Sequence, residues 1–219
     1  MALLELDQVT KRYGGIIAVN EATFSVEEGS ITSLIGPNGA GKTTAFDTIS
    51  GVIEVDGGSI HYAGQDITNL RPWAVTKLGL GRTFQVTREL GDMTVLENLA
   101  VASVPNSFSS LVGGRVHTEE RDQAMEVLDF LGITKLAHEF AKRLSYGQRK
   151  LLELAAVLMT EPNLILLDEP AGGVNPALLE RILDRIQAIN ANGVTFLIVE
   201  HNMDVVMRLS DSIVVMAHG

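Results

Sequence analysis

The run Gly36-Pro37-Asn38-Gly39-Ala40-Gly41-Lys42-Thr43 places three spaced glycines, a lysine and a hydroxyl where they could grip a chain of phosphates. Glycines let backbone N–H groups turn inward around anionic oxygens, and the positive end of a following helix adds a favourable field. Lys42 can reach the terminal phosphates, and Thr43, with Thr44 beside it, can offer a hydroxyl to a Mg²⁺ ion. The pattern needs a strand before it and a helix after it. Ile31, Leu34 and Ile35 supply the first, and residues 43–49 supply the second.

A second group lies far along the chain. Leu164-Ile165-Leu166-Leu167 reads as a buried strand, and Asp168 and Glu169 stand at its C-terminal end, where α/β sheets place their ligands. Asp168 can hold a metal shell, and Glu169 can orient and deprotonate a water. Between the two groups, Leu144-Ser145-Tyr146-Gly147-Gln148 admits two readings that are compatible. Ser145 with Gln148 three residues on is a capping box for the helix that follows, and a helix N-terminus is also an anion site.

The surrounding elements follow from periodicity. Leu3, Leu4, Leu6 and Val9 form a strand-like start, Ala22, Phe24 and Val26 alternate before a turn at residues 27–29, and Gly57–Gly58 reads as a hairpin turn leading to Ile60 and Tyr62. From about residue 97 to 159 the period is mostly helical. Ala124, Val127, Leu128 and Leu131 share one face, and a looser stretch spans 104–114. Strand signals return at 164–167, at 194–199 after a helix over 177–192 closed by Gly193, and at 213–216 after a helix over 203–209. Strands alternating with helices imply a mostly parallel α/β sheet interrupted by a helical lobe.

Composition bounds the function. The 219 residues suffice for one good-sized core or a core with a smaller lobe, and 46% hydrophobic with 20% charged residues argues against disorder. Without cysteine, disulfides, thiol catalysis and cysteine-ligated metals are excluded. A formal net charge of -10 argues against non-specific nucleic-acid binding. No stretch approaches the ~20 apolar residues of a membrane helix, and the first ten residues lack the basic start and apolar run of a signal peptide. Of the five histidines, the four other than His201 show no pairing at metal-ligand spacing.

Taken together in this order, the motifs resemble the ATP-binding subunits of ABC transporters. The match spans nearly the whole chain, with residues 144–148 similar to that family's signature motif. The resemblance implies a P-loop NTPase-type core with an N-terminal antiparallel β subdomain, the core being 1–84 and 160–219 and a helical subdomain spanning about 85–159. It implies ATP and Mg²⁺ as ligands, with Gly36, Asn38, Gly39, Ala40, Gly41, Lys42, Thr43 and Thr44 on the phosphates and Tyr13 stacked on adenine. Gln85 matches the glutamine that ties the metal site to the transmembrane partner, and His201 matches the histidine at the γ-phosphate. Glu169, His201, Gln85 and Lys42 are thereby the expected catalytic set, and Thr43, Gln85 and Asp168 the metal set. Ser145, Gly147 and Gln148 are expected to close over the nucleotide of a facing subunit.

The implied partners are permease subunits, a second ATP-binding subunit and, indirectly, an external substrate-binding protein, with the chain peripheral on the inner face of the membrane. Within the family, Gly81-Arg82-Thr83-Phe84-Gln85, residues 93–99, residues 168–176 and Val199-Glu200-His201-Asn202-Met203 resemble the branched-chain amino-acid importers, with urea or amide importers looking similar. Asn175 departs from the aspartate that many members carry, as this subgroup commonly does, and the sequence ends at His218–Gly219, where members usually continue. Three rivals remain. A soluble ABC-type ATPase for DNA or ribosomes generally carries coiled-coil insertions or a second cassette. A small-molecule P-loop kinase leaves Gln85, residues 145–148 and His201 unexplained. A non-hydrolysing regulator sits poorly with an intact Glu169.

Overall fold

Parallel strands at the centre of the molecule bring together the ends of segments far apart in sequence. The computed structural model describes residues 1–83, 89–103 and 118–219. Two long strands, β1 (Ala2–Tyr13) and β2 (Ile16–Glu27), pair antiparallel, and β4 (Gly57–Tyr62) and β5 (Gln65–Asp66) extend the sheet in the order β2-β1-β4-β5. The second sheet is parallel, in the order β6-β7-β8-β3-β9, from β3 (Ile31–Ile35), β6 (Leu80–Arg82), β7 (Leu164–Asp168), β8 (Thr195–Val199) and β9 (Ser212–Val215). This is the expected architecture: a parallel core with an antiparallel N-terminal sheet.

The central strands are buried on both faces, so they read as unbroken apolar runs, and alternate residues sort to opposite sides. Ile165, Leu167, Phe196 and Ile198 join the core formed with the helices α5 (Tyr146–Leu158) and α6 (Pro176–Ala191). Leu164, Leu166, Leu197, Val199 and Leu34 face the other way, onto α1 (Lys42–Ile49) and the antiparallel sheet, through Phe46, Ile49, Leu4 and Ile60. Between β6 and β7 run α3 (Val95–Ala102), α4 (Thr118–Leu131) and α5. Their inner faces, including Leu99, Leu128 and Leu151, belong to the first core. Among the described residues the other α-helices are α2 (Pro72–Lys77) and α7 (Met203–Leu209). Among the described residues no helix is long and apolar enough to cross a membrane.

One turn is displaced from its expected place. Gly57 and Gly58 lie inside β4, and the tight turn comes one strand later, where Ala63 (φ 49°) and Gly64 (φ 75°) join Tyr62 to its partner Gln65. Positive φ at both turn residues matches the twist of a two-residue hairpin. Gly58 serves close approach instead: a Cβ there would stand 2.3 Å from the Gln8 carbonyl oxygen, beside the register shift of β1 between Asp7 and Thr10.

Candidate active site

Every sequence-nominated catalytic group within the described residues sits at or just beyond the C-terminal end of a parallel strand. Residues 36–41 follow β3, Asp168 ends β7 with Glu169 next to it, and His201 lies two residues past β8. An open cleft of about 930 Å³ collects Tyr13, Asn38, Gly39, Gly41, Lys42, Thr43, Thr44, Glu169 and His201, with Ile16 and Ile17 from β2 beside Tyr13. Gln85 lies outside the described residues.

The loop before α1 is shaped by its own backbone. Gly41 caps α1 in the left-handed region (φ 98°), and a Cβ there would meet the Ala18 carbonyl oxygen at 2.1 Å. No side chain caps the helix, whereas α3, α5, α6 and α7 are capped by Thr94, Ser145, Asn175 and Asn202. The first N–H groups of α1 therefore face the cleft without a side-chain acceptor, carrying the positive end of the helix dipole. Lys42 is buried, and its Nζ donates to the carbonyls of Gly36 at 2.8 Å and Pro37 at 3.0 Å. An ammonium has three donors, so one proton remains for an oxygen in the cleft. Burial lowers the Lys42 pKa, and the charges of Glu169 and Asp168 oppose that shift. Ala40 sits behind the loop, buried, with its N–H on the Pro37 carbonyl at 3.1 Å; its expected ligand contact would have to come through a rearranged amide.

Across the cleft, Glu169 Oε1 lies 3.0 Å from His201 Nε2. Glu169 itself holds φ 46°, a conformation uncommon for a residue with a side chain. Its N–H bonds to the Val199 carbonyl at 2.9 Å, and its carbonyl accepts from Lys150 Nζ at 2.7 Å and from the Gly172 N–H at 3.1 Å. Asp168 lies beneath, only 4% exposed, with its N–H donated to Thr83 Oγ1 at 3.1 Å. Burial raises the Asp168 pKa; the Arg82 guanidinium opposes the shift and the Glu169 carboxylate adds to it. Arg82 in turn joins β6 to α1 through Asp47 at 2.7 Å and Ser50 Oγ at 2.6 Å.

The donor set fits Mg²⁺. A buried carboxylate that burial makes reluctant to ionise gains from a divalent cation, and Thr43, the second residue of α1, offers a hydroxyl oxygen to the cleft, whose lining Asp168 itself does not join. Mg²⁺ takes one or two carboxylates plus substrate phosphates rather than a protein cage. Among the described residues no group of three or more His, Cys, Asp or Glu is placed to hold a metal ion.

Ser145, Gly147 and Gln148 do not line this cleft. The capping box is present, with the Ser145 N–H donating to Gln148 Oε1 at 2.8 Å and the Gln148 N–H to Ser145 Oγ at 3.3 Å. Gly147 is buried against α6, where an added Cβ would fall 2.1 Å from Leu178 Cδ2. Asn175 caps α6 by accepting the Leu178 N–H at 2.9 Å, a bond an aspartate would make equally well.

A family model described as ABC transporter matches residues 19–172. The chain is 42% identical to a probable branched-chain amino acid transport ATP-binding protein, LivG, of Archaeoglobus fulgidus, over all of this chain and 87% of that one. The chain belongs to the ABC transporter family. Among solved structures, the ADP conformation of an ABC transporter's ATP-binding cassette superposes with a TM-score of 0.89 at 36% identity, covering 100% of this chain and 89% of that one. A dimeric bacterial ABC transporter cassette superposes at 0.85 with 26% identity, covering 99% and 95%. The chain is thus an ATP-binding, ATP-hydrolysing ABC transporter subunit.

Reading the sequence alone missed Lys150, Thr83 and Arg82 as supports of this ABC cassette's site. Lys150 lies two residues past Gln148 and, at 9% exposure, is buried more deeply than a lysine on a helix usually is. Nothing in its neighbours announces the contact with Glu169.

Proposed function

We propose that this ABC subunit powers import of branched-chain amino acids, with each ATP held between the cleft of one cassette and residues 145–148 of its partner. The observation that carries the ATPase reading is the uncapped N-terminus of α1 beside buried Lys42, facing the Glu169–His201 pair across one cleft. The similarity to the LivG protein of Archaeoglobus fulgidus favours the substrate class, with urea or amides the alternative.

In this reading the α1 amides and the third Lys42 proton hold the β- and γ-phosphates, and Tyr13, an exposed ring lining the same cleft, stacks on adenine. Asp168 and Thr43, with Gln85, would hold Mg²⁺. Bound there, the ion would neutralise charge on the phosphates. Glu169 takes a proton from the attacking water as its oxygen bonds to the γ-phosphorus, while the bond to the β,γ-bridging oxygen breaks and ADP leaves with its electron pair. His201, 3.0 Å from Glu169, steadies that carboxylate and the γ-phosphate. Such a reaction needs positioning and charge stabilisation more than covalent help.

Ser145 and Gly147 lie off the cis cleft and would serve the partner's nucleotide. Closing the clamp would then move the helical lobe, residues 85–159, against the core. The permease would receive that motion near the second cleft, about 430 Å³, between the lobes, lined by Arg82 and Glu89 on either side of residues 84–88 in sequence. Assembly on the inner membrane face with an external substrate-binding protein completes the proposal. A net charge of -10 disfavours a nucleic-acid partner.

Glu169→Gln is expected to bind ATP normally, accumulate as an ATP-bound dimer by size exclusion, and turn over ~10²–10⁴-fold more slowly. Near-normal hydrolysis would remove Glu169 from the base role. For the substrate, the reconstituted transporter with its binding protein is expected to hydrolyse ATP faster when leucine, isoleucine or valine is added. Stimulation by urea or a short amide instead would transfer the assignment.

A further inference from the structure

We infer that Glu200 is a positioning residue for hydrolysis, whose buried carboxylate locks the turn carrying Glu169 to the loop carrying His201. The inference rests on the catalytic roles proposed for those two residues.

Glu200 follows β8 directly and is 3% exposed. Its Oε1 accepts the Ala171 N–H at 2.9 Å, and its Oε2 accepts the N–H groups of His201 at 2.6 Å and Asn202 at 2.9 Å. One side chain thus ties the chain two residues after Glu169 to the backbone of His201. Buried carboxylates are costly unless hydrogen-bonded, and bonds to an ionised acceptor are among the strong ones. Capping α7 does not require it. Asn202 already caps that helix, its Oδ1 accepting the Asp204 N–H at 3.0 Å, and a local cap would not reach Ala171, 29 residues away.

The need for such a tie lies in Glu169. A non-glycine residue at φ 46° persists only when its surroundings over-determine it. The Val199 carbonyl and Lys150 hold the near side of that turn, and Glu200 holds the far side. The 3.0 Å contact between Glu169 and His201 then follows from two backbones fixed to one carboxylate. Glutamine at position 200 would present one acceptor oxygen and an NH₂ group to three N–H donors, so at least one bond is lost.

The test uses the full chain in its transporter complex. Glu200→Gln is expected to lower kcat per folded molecule by about ten- to a hundredfold, the usual scale for outer partners of reacting groups. The KM for ATP and calorimetric ATP affinity should remain at wild-type values. Should that variant not fold, Glu200→Asp keeps the charge but is one methylene too short to span from His201 to Ala171, and the same loss in kcat is expected. Wild-type kcat in either folded variant, or a change confined to KM or to melting temperature, would overturn the inference. If Glu169→Gln is slow and Glu200→Gln is not, only the role of Glu200 fails; if Glu169→Gln turns over normally, the reading of the site fails with it.

Discussion

The two turns that face each other across the cleft are built in opposite ways. Residues 36–43 take most of their shape from glycines and from Lys42 bonding back to its own loop across five and six residues, with backbone from elsewhere, including the Ala18 carbonyl and the Gly219 N–H, packed against them. The turn at Glu169 has an uncommon backbone angle imposed from outside, by Lys150 on α5, the Val199 carbonyl at the end of β8 and Glu200 beyond it. A phosphate cradle can be local because it only has to present amides. A general base must stand at one distance from groups on other strands, so it is fixed by the elements that carry them.

The comparison is broken most severely by Gly41→Ala. The residue sits at φ 98°, and the new Cβ would stand 2.1 Å from the Ala18 carbonyl oxygen, a backbone atom that cannot swing aside. Backbone strain alone contributes about 1–3 kcal/mol, and the clash adds to it. The variant is expected to melt well below wild type and to lose ATP affinity and turnover together. Unchanged calorimetric affinity would show that ATP binding does not depend on the backbone shape that Gly41 gives the cradle.

Lys150→Met sharpens the contrast from the other side, with a smaller effect. It keeps most of the buried stem but withdraws the ammonium from the Glu169 carbonyl, leaving the Gly172 N–H as its bonded donor at 3.1 Å. A hydrogen bond from a charged group is worth about 1.5–3 kcal/mol, so kcat should fall by roughly tenfold or more while ATP affinity holds. A parallel loss of affinity, measured by nucleotide titration, would mean that α5 supports both turns and that the division drawn between them is wrong.

That division also explains what could be read in the sequence. The cradle, the capping box at Ser145 and Gln148, and the Asp168–Glu169 strand end were legible because each is a contiguous pattern with its own physical reason. Partners separated along the chain were not. Lys150 meets Glu169 across 19 residues, Ala171 meets Glu200 across 29 and Thr83 meets Asp168 across 85, and no local periodicity encodes such meetings. Gly57 and Gly58 misled for a related reason. A glycine pair reads as a turn, yet Gly58 answers to the approach of β1, a strand some fifty residues earlier.

The smallest expected effect lies beneath both turns, at Asp168. Burial holds its carboxyl above the ordinary carboxylate range, with Arg82 opposing, so the folded chain keeps this proton at a pH where the unfolded chain has released it. Ionised Asp168 therefore costs stability. That cost is absent below the unfolded-state pKa, grows as pH rises through the window up to the raised folded-state value, and is constant above it. Asp168→Asn should accordingly melt higher than wild type at neutral pH without nucleotide, by about 2–4 °C per kcal/mol in a chain of this size, and the gap should close on acidification. With Mg²⁺ and ATP added the order should reverse, because the wild-type carboxylate gains a cation that asparagine cannot match. A calorimetric melting series in which the gap is unchanged from acid to neutral pH would place the strain of this site in the turns above Asp168 and not in its buried charge.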